Sequence, residues 1–134
     1  MVVVAAGNTG TLTNGPTWTT GQIGNAVQFD GSNDSITSSL VTTVTDNVTL
    51  SAWFKWNGDT AVNHMIIYNG SSGSNGYGFY LDDANSNHLR GLLGGLYYLD
   101  PPTAYTPTVG QWTHAVMVRT SGTWQIYING VSLG

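Results

Sequence analysis

Three segments of the chain alternate apolar and polar residues with a period of two, and each carries a tryptophan near one end. This is the spacing of β-strands, in which successive side chains point to opposite faces. No window of a dozen residues repeats apolar positions at three- and four-residue spacing, so the sequence predicts no helix. The three segments are residues 48–56, 112–119 and 124–130.

Turn-forming residues separate these segments. Asparagine and glycine both tolerate the positive φ that tight hairpin turns require, so Asn-Gly pairs predict hairpins. Ser121-Gly122 between two strong strands predicts a two-residue hairpin loop, and the prolines of residues 99–110 predict a loop. Many short strands in 134 residues favour one antiparallel β-sandwich domain over residues 1–134. The Asn-Gly pairs are Asn14-Gly15, Asn57-Gly58, Asn69-Gly70, Asn75-Gly76 and Asn129-Gly130.

The alternation also assigns side chains to faces of the predicted strands. In the first segment Leu50, Ala52 and Phe54 share one face with Val48 and Trp56, opposite a more polar face. We expect Trp53, Trp112 and Trp124 to lie in the core because they fall inside strong strands. His114 shares a face with Trp112 and Val116.

Charge is scarce in this chain. Charged residues make up 7% of it, and the net charge is −4. Lys55, Arg90 and Arg119 are too few to neutralise a run of phosphates or to form a polybasic patch, which argues against nucleic-acid binding. No apolar run is long enough to span a bilayer, so membrane insertion is not expected. A surface of Thr, Ser, Asn and Gly is typical of extracellular, cell-surface or virion proteins.

The acidic residues are all aspartates, which bears on catalysis. Glycoside hydrolysis needs two carboxyl groups that flank one bond, and neighbours such as Asp82 and Asp83 point to opposite faces of a strand. We expect this pair to face water at a strand end. The chain contains no cysteine and no Gly-x-Ser-x-Gly motif, and its three histidines are widely separated. The sequence therefore predicts a protein that is not an enzyme.

The ordered motifs resemble those of a known family. Taken together they resemble the laminin-G-like, concanavalin A-like jelly-roll domains of bacteria and phages. Catalytic relatives on that fold carry a close pair of glutamates on one strand, and this chain has none. His114 resembles the structural histidine that the family carries in the matching strand, so the resemblance implies a buried, hydrogen-bonded histidine. The motifs are GTLTNGPTW at 10–18, AVQFDGSNDSI at 26–36, LSAWF at 50–54, GFYL at 78–81, WTHAV at 112–116 and WQIYING at 124–130.

The sequence departs from the family pattern at both ends of the domain. Family members usually open with a further strand and close with another, so the sandwich of this sequence looks incomplete at both ends. Unpaired strand edges invite pairing with another chain. Three alternatives could complete the sandwich. Residues 1–6 could form a substitute strand, a neighbouring chain in a homo-oligomer could supply one, or the sequence could be part of a longer polypeptide.

A calcium site is one candidate. Asp30, Asn33 and Asp34 offer carboxylate and amide oxygens within one turn, the ligands that Ca²⁺ prefers, and several of the relatives bind one calcium near the rim of the sandwich. The alternative is an Asx-type turn, in which Asp30 and Asn33 bond to their own backbone.

A glycan site is the other candidate. Tyr97, Tyr98, Asp100 and Tyr105 fall in one loop-rich stretch. Aromatic rings stack on sugar rings, and a carboxylate accepts from sugar hydroxyls. The alternative is that these tyrosines complete the core.

Two functions follow from this sequence. We expect a non-catalytic adhesion or carbohydrate-binding module whose partner is a glycan or surface polysaccharide. The alternative is a structural self-assembling subunit of a filament, capsid decoration or tail. Each function would place the domain outside the cell or on a particle.

Overall fold

Antiparallel strands make up most of the computed structural model, which describes residues 9–41, 44–71, 73–94 and 97–134. The chain divides into two compact units, residues 1–40 and 41–134. The assignment of one domain to residues 1–134 stays a prediction. Residues 1–6, one of the three alternatives for completing the sandwich, lie outside the described residues. No helix in the described ranges is long and apolar enough to cross a membrane.

The first unit consists of two short antiparallel ladders. Strands β1 (Thr11–Thr13) and β4 (Ser35–Thr37) form one, and β2 (Thr17–Thr20) and β3 (Asn25–Gln28) form the other. Several of its large apolar side chains are exposed. They are Leu12, Trp18, Ile23, Phe29 and Leu40.

The second unit is a sandwich of two four-stranded antiparallel sheets. One sheet has the strand order β12-β11-β10-β5 and the other β6-β7-β8-β9. A short 3-10 helix, Asp83–Asn85, separates β7 from β8. The strands are β5 (Val48–Lys55), β6 (His64–Ser71), β7 (Asn75–Asp82), β8 (His88–Leu93), β9 (Tyr97–Leu99), β10 (Trp112–Thr120), β11 (Thr123–Ile128) and β12 (Val131–Ser132).

The core lies between these two sheets. An added Cβ at Gly91 of β8 would lie 3.1 Å from Met117 Sδ of β10, so the sheets meet closely at this glycine. The absence of a side chain at Gly91 therefore lets the facing strand approach. The buried core residues are Trp56, Phe79, Leu81, Leu89, Ala115, Met117, Ile126, Ile128 and Leu133.

The predicted faces of β5 are confirmed, but the phase of β10 is not. Leu50, Ala52 and Phe54 pack against the core, as expected. In β10 the core-facing residues include Ala115 and Met117, which are fully buried, and the face carrying His114 points outward. Both faces of β10 are largely apolar, so its alternation alone does not select one; pairing with β5 and β11 does.

Two of the tryptophans therefore lie elsewhere than expected. Trp53 and Trp112 are half-buried on the outer face of their sheet rather than in the core. Trp124 shares the inward face of β11 with Ile126 and packs against the core, as expected. Trp56, at the end of β5, is buried in it.

The turn predictions divide into two groups. Ser121 (φ 51°) and Gly122 (φ 77°) form the expected two-residue loop, because Thr120 pairs directly with Thr123. Asn129-Gly130 forms a second loop of the same kind between β11 and β12. Asn69-Gly70 and Asn75-Gly76 contradict the hairpin prediction: they lie within β6 and β7, where Gly70 pairs with Gly76.

Candidate functional site

Alternation on β7 and β8 builds a polar cluster on the outer face of their sheet. Phe79 and Leu81 turn inward, so Tyr80 and Asp82 turn outward. On β8, Arg90 pairs in register with Tyr80, and the register of β9 brings Asp100 alongside Arg90. We call the surface formed by Tyr80, Asp82, Arg90, Tyr98 and Asp100 the Arg90 face.

Arg90 is the centre of this cluster. Its Nη1 donates to Asp82, and its Nε and Nη2 donate to the two carboxylate oxygens of Asp100, the second at 2.7 Å. The guanidinium carbon lies 4.4 Å from the centroid of the Tyr98 ring. These hydrogen bonds, with Asp100 contributing most, raise the pKa of Arg90 above its ordinary value despite partial burial.

The Tyr80 hydroxyl lies beside the same charged groups, and its pKa is shifted. Tyr80 is 4% exposed, and burial together with the negative charge of Asp82 raises its pKa to about 12. Tyr80 therefore stays protonated well beyond physiological pH and can act as a hydrogen-bond donor but not as a phenolate. Asp82 is itself buried and ion-paired, which corrects the expectation that it faces water.

A depression of about 230 Å³ adjoins the Arg90 face at the edge of the sandwich. β9 and the loop after it form one side, and β11 forms the other. We call it the edge depression. Its lining residues are Tyr98, Leu99, Asp100, Pro101, Pro102, Trp124, Gln125, Ile126 and Gly134.

The side chains of the edge depression are held in place. Gln125 donates to Ser132 Oγ and accepts from the Tyr127 hydroxyl, so both ends of its amide are bound. The Trp124 ring lies 6.1 Å from that of Tyr77 and 5.1 Å from the Arg119 guanidinium. Tyr98 is stacked on Arg90 yet remains 58% exposed. A fixed wall with an exposed ring suits the recognition of a small polar ligand.

The four residues predicted to bind a glycan separate into two groups. Tyr98 and Asp100 line the edge depression together. Tyr97 is 69% exposed but is not one of the lining residues. Tyr105 packs against the core, where its hydroxyl lies 3.3 Å from Thr113 Oγ1. The structure thus joins Tyr98 with Asp100 and places the other two tyrosines elsewhere.

The residues of the predicted calcium site lie in the first unit. Asp30 Oδ1 accepts from the Ser32 backbone N–H, and Asp34 Oδ2 accepts from that of Asp30. The first of these is the hydrogen bond of an Asx-type turn. Asp34 Oδ1 accepts no hydrogen bond from the described residues, which contain no group of three His, Cys, Asp or Glu able to hold a metal. Calcium at Asp30, Asn33 and Asp34 stays a prediction.

The outer face of the other sheet carries a different set of groups. His114 Nε2 lies 2.8 Å from Ser51 Oγ, and its ring stacks on Trp53 at 4.9 Å with 20° between the planes. Lys55 Nζ lies 5.3 Å from the ring of Trp112. We call the surface formed by these five residues the His114 face. The histidine is hydrogen-bonded, as expected, but only half-buried.

Sequence reasoning missed Arg90, Trp124 and Gln125 as site residues. Arg90 had a local signal, because it is a lone cation between Leu89 and Gly91 in a chain that has few. The alternation of Tyr80 and Asp82 with the apolar Phe79 and Leu81 also indicated a polar outer face on this strand. Trp124 and Gln125 had no such signal, since their place beside Asp100 depends on how the two sheets meet.

Comparison with known proteins identifies the family. A family model, Laminin_G_3, described as the concanavalin A-like lectin/glucanases superfamily, matches residues 30–134. No curated protein and no solved structure matches the chain. The matched range includes every strand of the antiparallel sandwich, β5 to β12. The chain belongs to the concanavalin A-like lectin/glucanases superfamily, as the order of its motifs predicted.

Proposed function

We propose that the sandwich of residues 41–134 is a non-catalytic carbohydrate-binding module of the adhesion type, whose glycan binds in the edge depression. The family provides the general class, because it includes lectins. The observation that carries the proposal is the meeting of an exposed tyrosine ring and a carboxylate in one depression. The ring offers a stacking surface for a sugar, and Asp100 offers an acceptor for its hydroxyls.

The size of the depression limits what it holds. At about 230 Å³ it is smaller than the roughly 300–1,000 Å³ of most ligand pockets. It suits one sugar ring of a longer chain rather than a whole oligosaccharide. A polysaccharide at a cell or particle surface presents many such rings, so display of the module outside the cell is part of the proposal.

The carboxylates support a binding role over a hydrolytic one. The chain has no glutamate, and Asp82 and Asp100 are both bound to Arg90. Glycosidases place two carboxyl groups on either side of one sugar bond. Here the two carboxylates hold a shared arginine between them instead.

Two neighbouring tyrosines provide the test. Tyr98 and Tyr97 are both exposed on β9, but only Tyr98 lines the edge depression. On a glycan array, followed by calorimetry with the best glycan, we expect Tyr98→Ala to lower affinity at least about tenfold. Tyr97→Ala is the matched control and should bind like the unmodified protein. Equal loss in both variants, or an array without any bound glycan, would contradict the proposal.

The exposed apolar side chains of the first unit favour a second candidate, the structural self-assembling subunit. Trp18 is 65% exposed and Ile23 is 62% exposed, and exposed apolar groups of this kind occur at protein–protein contacts. A neighbouring copy that completes the sandwich belongs to the same candidate. Sedimentation of the protein and of its Trp18→Ser variant tests it. An oligomer that the substitution dissociates supports it, and a monomer at all concentrations excludes it.

A further inference from the structure

We infer that the edge depression selects uncharged glycans and rejects those that carry carboxylate or sulfate groups. The inference rests on the proposed function and adds the class of ligand. It comes from the charged side chains that the described residues of the sandwich place around the depression.

The lining of the depression is negative. Asp100 is the one charged side chain among the described residues that line it. Together with Arg90 and Asp82, Asp100 forms a cluster of net charge −1, since two carboxylates share one guanidinium. The chain as a whole carries −4. A sugar hydroxyl can donate to Asp100, whereas an anionic group there meets a like charge.

Arg90 is bound to Asp100 and lies over Tyr98, two residues that line the depression, and it is not available to a ligand. Three of its N–H groups already donate to Asp82 and Asp100, and its guanidinium carbon lies over the ring of Tyr98. Its side chain is 14% exposed and that of Asp82 is 7% exposed. Turning the guanidinium toward a ligand would leave the Asp82 carboxylate buried without its partner, which is strongly unfavourable.

The other two cations are also engaged. Arg119 forms an ion pair with Asp46 at 3.4 Å and stacks over Trp124, and it donates to the Thr45 carbonyl. Lys55 lies over Trp112 on the His114 face. Neither is among the residues that line the depression. An acidic sugar would therefore bind without a counter-charge, at a cost that converts to at least about tenfold in affinity.

Matched glycans test the selectivity. The probes are oligosaccharides of a neutral hexose and of the corresponding hexuronate, with the same linkage and length, arrayed as pairs. We expect the neutral member of the bound pair to be preferred at least about tenfold. Asp100→Asn removes one negative charge and keeps an acceptor, so the preference should shrink. Asp59→Asn makes the same change in net charge away from the depression and should leave the preference as it was.

The outcomes separate the two proposals. Equal or stronger binding of the hexuronate, with Tyr98→Ala abolishing it, overturns the selectivity and leaves the site standing. Absence of binding by both members of every pair overturns the proposed function, and the selectivity with it. If Asp59→Asn reduces the preference for the neutral glycan as much as Asp100→Asn does, the selectivity does not come from the charge at the depression.

Discussion

The Arg90 face and the His114 face lie on opposite sides of the same sandwich and hold their polar groups by different means. On the Arg90 face one cation is bound by two carboxylates. Arg90, Asp82 and Tyr80 are largely removed from water, whereas Asp100 is 57% exposed. On the His114 face a serine, an imidazole and the Trp53 indole make neutral contacts across β5 and β10, and Lys55 lies over the indole of Trp112. A chain with 7% charged residues thus places a buried ion pair on one side.

This difference predicts how much stability a substitution on each face should cost. Removing one member of a buried ion pair leaves an unpaired charge, whereas removing one member of a neutral contact costs only that contact. The Arg90 face should therefore respond strongly to single substitutions and to alkaline pH, and the His114 face weakly. The edge depression adjoins the face whose groups are held more rigidly, as expected for a preorganised binding site.

Arg90→Ala should have the largest effect. It leaves Asp82 buried and unpaired, so we expect the free energy of unfolding to fall by about 3–5 kcal/mol in urea denaturation. Lys55→Ala is the matched control on the His114 face and should cost less than about 1 kcal/mol. The double variant Asp82→Ala/Arg90→Ala should regain part of the loss. Equal effects of the two single substitutions would remove the distinction between the faces.

Alkaline pH should have the next largest effect, through Tyr80. The pKa of Tyr80 is raised to about 12 in the folded protein, so the unfolded chain loses its proton first. The contribution of protonated Tyr80 to stability is complete below pH 10. As the pH rises from 10 to 12 this contribution is lost, and the free energy of unfolding should fall by roughly 2 kcal/mol.

The control for this effect is a pair of tyrosine-to-phenylalanine substitutions. In urea denaturation at several pH values, Tyr80→Phe should flatten the decline between pH 10 and 12. Tyr97→Phe removes an exposed hydroxyl and should leave the decline unchanged. A decline of the same slope in Tyr80→Phe would show that other groups cause it.

The stack on the His114 face should give the smallest effect. In a double-mutant cycle with Trp53→Ala and His114→Ala, we expect a coupling free energy of about 0.5–1.5 kcal/mol. Val118→Ala with Trp53→Ala serves as a reference pair from the same outer face. A Trp53–His114 coupling no greater than that of the reference pair would mean that the stack adds nothing to stability.

Much of the fold was predictable from the sequence because short-range chemistry determines it. The polar alternation on β5 distinguishes its two faces, and the Ser121-Gly122 turn fits only a tight hairpin between its strands. β10 lacks such a distinction, because Val116 and Val118 are as apolar as Ala115 and Met117. Its phase depends on its pairing with β5 and β11, which local alternation does not encode.

The candidate site was predictable only in part, for the same reason. Tyr98 and Asp100 are two residues apart in the stretch predicted to be loop-rich, so their proximity follows from the sequence. The arginine that holds Asp100 is ten residues away, and Trp124 and Gln125 come from the other sheet. Asn69-Gly70 and Asn75-Gly76 show a similar limit, since the same dipeptide serves in a turn or within a strand.

The location of a bound glycan tests the central claim most directly. We expect NMR titration of the ¹⁵N-labelled protein, with the glycan that binds best on the array, to shift the resonances of residues lining the edge depression. Tyr98, Asp100 and the indole N–H of Trp124 should change most, with little change at Trp53 and Trp112. The largest shifts on the His114 face, with the edge depression unchanged, would contradict the account.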